Sequence, residues 1–162
     1  MSAMNTLLIL RHAKAVSHAD RDDDRALTPR GEDDACRVGA HLAAEGLIPD
    51  LILASDALRT LQTARLVAQG CGLAQEHVQA NGILYMAQVS VLVEELRNVS
   101  DDVDTLLLVG HNPDLHALAE WLGADDLPSF PTAALARFSV DSDTWDDLGP
   151  WQCRYHGTFT PH

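Results

Sequence analysis

Leu7-Leu-Ile-Leu-Arg-His12 is the stretch that decides how the chain is read. Four consecutive apolar residues without alternation are the pattern of a short strand covered on both faces, as in a parallel sheet. The run delivers an arginine and a histidine at its carboxyl end. Two later stretches repeat the design. Leu51-Ile-Leu-Ala54 leads into Ser55 and Arg59, and Thr105-Leu-Leu-Leu-Val109 leads into Gly110-His111-Asn112-Pro113. Helical periodicity separates the three. Thr28 is placed to cap a helix with Pro29 at its first position, Ala35, Val38 and Leu42 on one face, and Gly46 at its end. Ser55-Asp56 are read as the cap of a helix bearing Leu58, Leu61 and Leu66, ending near Gly70 or Gly72. A third helix is expected over Val89 to Asn98, and a fourth after Pro113 with Leu115, Leu118, Ala119 and Leu122. Two further strands are expected at Ala133 to Val140 and Trp151 to Phe159. Strands alternating with helices predict an α/β architecture with a largely parallel central sheet. In such sheets ligands sit beyond the carboxyl ends of the strands. Arg11, His12, Arg59 and His111 are all sent to that edge.

The 162 residues suffice for one core and show no repeat or linker, so a single domain over residues 1–162 is expected. A hydrophobic content of 46% excludes a disordered chain. The formal net charge of −13 disfavours nucleic acid and anionic membrane as partners. A bound anion must therefore be drawn into a local pocket against the global field. Cys36, Cys71 and Cys153 are odd in number and form no CxxC, which points to reduced thiols and a cytoplasmic setting. The start, Met1 to Thr6, and the four-residue run after it are too short for a signal segment or a membrane span. The remaining histidines form no metal set, so neither a metal nor another cofactor is expected. Asp20 to Asp24 read as a solvated loop, with gating of a pocket mouth as the lesser alternative. Trp121, Trp145 and Trp151 read as packing anchors.

Two arginines offer planar forks that match phosphate oxygens, and histidines add donors when protonated. A neutral imidazole held between the arginines can attack phosphorus and form a phosphohistidine that water later splits. The arginines and His111 would spread the charge of the equatorial oxygens. The attacking ring needs an acceptor at its other nitrogen to fix the tautomer, and a backbone carbonyl is the expected one.

Leu7 to Lys14 resembles the opening RHG-type motif of the histidine phosphatase superfamily, and SixA-like phosphohistidine phosphatases are the branch it matches best. Three further motifs carry the resemblance: Arg25-Ala-Leu-Thr-Pro-Arg-Gly31, Ser55-Asp-Ala-Leu-Arg-Thr-Leu-Gln-Thr-Ala64 and Val109-Gly-His-Asn-Pro113. Leu84-Tyr85 and Phe130-Pro-Thr-Ala133 are softer echoes. The resemblance implies a three-layer α/β/α sandwich of the phosphoglycerate mutase-like type. It implies His12 as nucleophile, Arg11, Arg59 and His111 as the phosphate pocket, and Arg25 as a fifth phosphate contact. Asn112 is expected to shape its loop and Ser55 to cap the helix that carries Arg59.

Some positions depart from the family pattern. Asp56 stands where many relatives have proline, Ala13 replaces the usual glycine, and Met86 occupies a position where related chains often carry an acid. Glu94 and Glu95 read as helix surface, so no general acid is assigned. Without one, alkyl phosphates should be poor substrates, since general acid catalysis is worth roughly 10²–10⁴-fold. A protonated phosphoramidate or an aryl phosphate would suffer less. Mutases of the superfamily are longer and close over their substrates, whereas this chain has little spare length, so its pocket should be shallow and open. The expected partner is thus a phosphorylated protein, with small phosphorylated substrates and an idle phosphate-binding module as alternatives, and a monomer is favoured.

Overall fold

Leu7, Leu8, Ile9 and Leu10 are all fully buried, but they face opposite ways. Leu7 and Ile9 join one apolar cluster and Leu8 and Leu10 another, which is why the run shows no alternation. The computed structural model describes residues 4–162; residues 1–3, part of the opening stretch read above as too short for a signal segment, lie outside it. The run forms β1 (Asn5–Arg11), followed by α1 (Pro29–Ala44), β2 (Leu51–Ala54), α2 (Leu58–Gly70), β3 (Val78–Ala80), α3 (Val89–Arg97), β4 (Thr105–Gly110), α4 (Asp114–Trp121), β5 (Leu135–Val140) and β6 (Cys153–Phe159). The sheet has the order β3-β2-β4-β1-β5-β6. Its first four strands run parallel to one another, β5 pairs antiparallel with β1, and β6 pairs antiparallel with β5, so only β5 runs against the rest.

Helices cover both faces. The cluster around Leu8 and Leu10 takes Val38 and Leu42 from α1 and Ala64 and Val67 from α2. The cluster around Leu7 and Ile9 takes Leu92 and Leu96 from α3 and Leu115 and Leu118 from α4. The layers are therefore α/β/α, as anticipated.

Four features of the fold differ from what the sequence predicts. The three-residue edge strand β3 was not anticipated, because Val78-Gln79-Ala80 is too short for a period to show. β5 and β6 begin two residues late: Ala133 sits at φ 62°, a turn conformation, and Pro150–Gln152 form a 3₁₀ turn. α2 has Ala57 at its N-cap with no side-chain hydrogen bond, so neither Ser55 nor Asp56 caps it. Trp145 is a buried anchor whose indole donates to Val103 O at 2.9 Å, whereas Trp121 and Trp151 are exposed. Among the described residues no helix is long and apolar enough to cross a membrane.

Candidate functional site

The strand order explains how distant residues meet. β4 lies between β1 and β2, with Arg11 opposite Gly110 and Ala54 opposite Val109. The chain leaving each strand therefore opens onto the same spot. His12 N donates to Gly110 O at 3.0 Å, and the His12 and His111 rings lie 5.5 Å apart between centroids. Arg59 reaches the spot from the first turn of α2. Arg11, His12, Arg25, Arg59 and His111 line one depression of about 310 Å³, with Lys14, Asp22, Met86 and Asn112 around them. All five anticipated residues are thus brought together. Four of the eleven lysines and arginines of this acidic chain line the depression, so its local field opposes the global one.

His12 is buried, and its Nδ1 lies 2.7 Å from Ala13 O. A carbonyl only accepts, so Nδ1 carries the proton and Nε2 keeps its lone pair. The fixing acceptor is thus the carbonyl of the next residue. Burial, with the nearby charges of Arg59, Arg11 and Arg25, lowers the pKa of His12 to about 4, although the Ala13 carbonyl opposes the shift. At neutral pH the ring is uncharged.

His111 is oriented from both sides. Arg59 Nη2 lies 3.3 Å from its Nδ1, and a guanidinium only donates, so Nδ1 accepts and Nε2 bears the proton. Nε2 then donates to Ser55 Oγ at 2.7 Å, Ser55 Oγ to Thr60 Oγ1 at 2.6 Å, and Thr60 Oγ1 to Ala57 O at 2.8 Å. Ser55, expected as a helix cap, instead anchors this histidine. Burial, followed by the proximity of His12 and Arg59, lowers the pKa of His111 to about 3. His111 is therefore neutral in this arrangement and would donate to an anion only after taking up a proton.

Arg11 Nη1 donates to Phe130 O at 3.2 Å, and the Nε atoms of Arg11 and Arg59 are buried with no hydrogen-bond partner among the described residues. Such donors are costly to leave unpaired, and they suit a site built to receive an anion. Asn112 shapes its loop as expected: Nδ2 donates to Phe130 O at 2.8 Å and Oδ1 accepts from His116 N at 3.3 Å. Asp56 lies against Gly82 and does not line the depression.

The remaining motif letters hold the loop after His12. Ala13 N donates to Thr63 Oγ1 at 3.0 Å, and Leu27 N to Gln62 Oε1 at 2.7 Å. Thr28 caps α1 by accepting from Gly31 N at 3.0 Å, while its own N donates to Lys14 O at 2.9 Å. A Cβ on Gly31 would overlap the Lys14 carbonyl, so glycine is required there by close approach.

The acidic loop is the main departure from the sequence reading. Asp22 is not simply solvated. Its Oδ2 accepts from Arg59 Nη2 at 3.0 Å and from the Tyr85 hydroxyl, its Oδ1 accepts from Arg25 Nε at 3.1 Å, and its main-chain O accepts from Arg59 Nη1 at 2.8 Å. The Tyr85 hydroxyl, then Arg59, holds the Asp22 carboxyl down at about 2, while the same bond raises Tyr85, so the proton stays on the phenol. Tyr85 also meets the His111 ring edge-on, 5.4 Å between centroids. Only the Leu84-Tyr85 echo hinted at Tyr85, and nothing local distinguished Asp22 from its acidic neighbours. Among the described residues no three His, Cys, Asp or Glu side chains are grouped to hold a metal ion.

Comparison with known proteins places this architecture. Residues 7–81 match the family model of the histidine phosphatase superfamily (branch 1). The chain is 36% identical over 152 residues to an uncharacterized protein of Mycobacterium tuberculosis, covering 87% of this chain and 92% of the relative. It is 30% identical to an uncharacterized chloroplastic protein of Arabidopsis thaliana, over 99% of this chain and 79% of the relative. A solved structure from Nakamurella multipartitia, described as a putative phosphohistidine phosphatase SixA, superposes with a TM-score of 0.88 at 30% identity, covering 99% of this chain and 98% of that one. With its opening motif at the carboxyl end of a central strand and its neighbours on both sides accounted for, the chain belongs to the histidine phosphatase superfamily.

Proposed function

We propose that the protein is a phosphatase in which His12 Nε2 takes up the phosphoryl group and that its substrate is a phosphohistidine on another protein. The observation that carries the reading is the His12 ring itself. Nδ1 is pinned to Ala13 O, Nε2 is left with its lone pair, and the arginines of the depression stand around it. Arg11, Arg59 and Arg25 would cradle the phosphoryl oxygens, and His111 would join them once the charge of the arriving anion raises its proton affinity and it takes up a proton from solvent.

The chemistry balances without a proton donor only for some substrates. His12 Nε2 forms a bond to phosphorus as the bond from phosphorus to the leaving nitrogen breaks, and that electron pair stays on the leaving nitrogen. If the other nitrogen of that leaving ring already carries a proton, it departs as neutral imidazole. Water then attacks the phosphorus, both of its protons end on the dihydrogen phosphate released, and His12 is regenerated neutral. An alkyl ester would instead leave as an alkoxide and need an acid. Asp22 is ionised and Met86 has no proton to give, which favours the N–P bond. The description of the Nakamurella structure as a putative phosphohistidine phosphatase points the same way. The three unpaired thiols support a reducing, cytoplasmic setting, and the depression is open enough for a side chain on a protein.

The test compares turnover of a phosphohistidine protein, phenyl phosphate and an alkyl phosphate. Phosphohistidine should lead by at least about 100-fold over the alkyl ester. His12→Ala should abolish all turnover, and acid-labile label should be trapped on His12. Equal turnover of phosphohistidine and a sugar phosphate would overturn the substrate, and activity surviving in His12→Ala would overturn the mechanism.

A further inference from the structure

The floor of the depression is cationic, but its rim is not. Asp22 stands on the rim with its side chain half exposed, held by Arg59 of α2, Arg25 of its own loop and Tyr85 beyond β3. Three donors from separate parts of the chain fix the carboxylate in place. The loop does not need that carboxylate merely to stay attached, since the Asp22 main-chain oxygen already accepts from Arg59 Nη1. Beside it on the rim is Met86, 52% exposed and held at φ 53°, a left-handed conformation that is costly for a non-glycine residue. A group seated on the floor with its phosphoryl oxygens among the arginines must carry its leaving portion out past a fixed negative charge and an apolar side chain.

From this arrangement, and resting on the phosphatase reading above, we infer that Asp22 is a specificity-determining residue, a charge filter that admits phosphoryl groups on cationic or neutral planar leaving groups and rejects those with a second anionic group beside the phosphate. The filter acts on the leaving group alone, because the phosphoryl oxygens are received by the floor. A protonated phosphoimidazole meets an attractive carboxylate and an apolar surface for its ring. A phosphorylated carboxylic acid or a bisphosphate meets like charge. The Tyr85 hydroxyl keeps its proton and donates to the carboxylate, so the filter holds its charge throughout the neutral range.

Two aryl phosphates of similar leaving-group reactivity and opposite side charge read this directly: 3-(aminomethyl)phenyl phosphate and 3-carboxyphenyl phosphate, with phenyl phosphate as reference. The native protein should prefer the cationic ester in kcat/KM. Asp22→Asn should shrink that preference by roughly fivefold, the size expected of one charge at a partly solvated position. Asp22→Glu should restore most of it, and Asp23→Asn, which removes a neighbouring acid paired with Arg21, should leave it unchanged. A purely structural role for Asp22 predicts equal loss on all three esters and no change in their ratio, and that result overturns the inference. An Asp23→Asn effect as large as that of Asp22→Asn overturns it too, since the selectivity would then be general surface charge. Failure of the phosphatase reading looks different: the native protein and His12→Ala would be equally inactive on phenyl phosphate.

Discussion

At the scale of single residues, the two histidines of the depression are held in different ways. His12 is fixed by its neighbour's carbonyl, and His111 by a relay through Ser55 and Thr60 that ends on the main chain. Both are neutral at physiological pH, and this has a thermodynamic consequence. The pKa of His12 falls from 6.5 to about 4 on folding, so between those values the unfolded chain binds a proton that the folded one refuses. The stability due to the neutral ring is complete above pH 6.5, declines as pH falls towards 4, and declines no further below that. For His12 the loss is on the order of 3 kcal/mol. Thermal melts from pH 7 to pH 4 should show a smaller decline in His12→Ala than in the native chain, by about 2–3 kcal/mol at the acid end. An identical decline in both would mean that His12 titrates normally in the fold. In NMR titrations the His12 ring should remain neutral at pH 5.5.

At the scale of elements, most letters of the recognised motifs build the support for the chemistry. Thr28, Gly31, Gln62 and Thr63 fasten the segment after β1 to the starts of α1 and α2. Gly31→Ala should cost about 2–3 kcal/mol in urea unfolding, because the new methyl group meets a backbone oxygen that can yield only by moving the His12 loop. Phosphatase activity should fall with it, and a neutral outcome would show that the loop is softer than its hydrogen bonds imply. The same elements show what could be read from sequence. The three buried strands announced themselves by unbroken apolar runs, and α1 by a threonine, a proline and a glycine whose meaning is local. Arg11, His12, Arg59 and His111 followed, since each lies beside a strand end. The roles of Ser55, Asp22 and Tyr85 are not legible in the sequence because their partners are remote: Ser55 bonds His111 56 positions away, and Asp22 meets Arg59 37 and Tyr85 63 positions away. No local pattern separates Asp22 from Asp20, Asp23 or Asp24, and only the packing of α2 against the loop singles it out.

At the scale of the whole molecule, a net charge of −13 surrounds a depression lined by four cations. A long-range field and a local one therefore act on an incoming substrate with opposite signs, and salt screens the former more, since the Debye length shortens to about 8 Å at physiological ionic strength. Raising salt from 20 to 200 mM should increase kcat/KM for an acidic phosphorylated protein by roughly two- to fivefold and decrease it for a basic phosphopeptide. Stopped-flow or steady-state rates across a salt series decide this, and parallel trends for both substrates would show that the global charge plays no part in the encounter. The strand order also governs when the site can come into existence. β1 and β2 share no edge, because β4 lies between them. A nascent chain that has emerged only as far as residue 100 holds His12 and Arg59 on two strands that have no means of pairing with each other. Neither can be placed until Thr105–Gly110 leaves the ribosome and slides into the gap, so assembly of the depression is a late event that coincides with closure of the sheet.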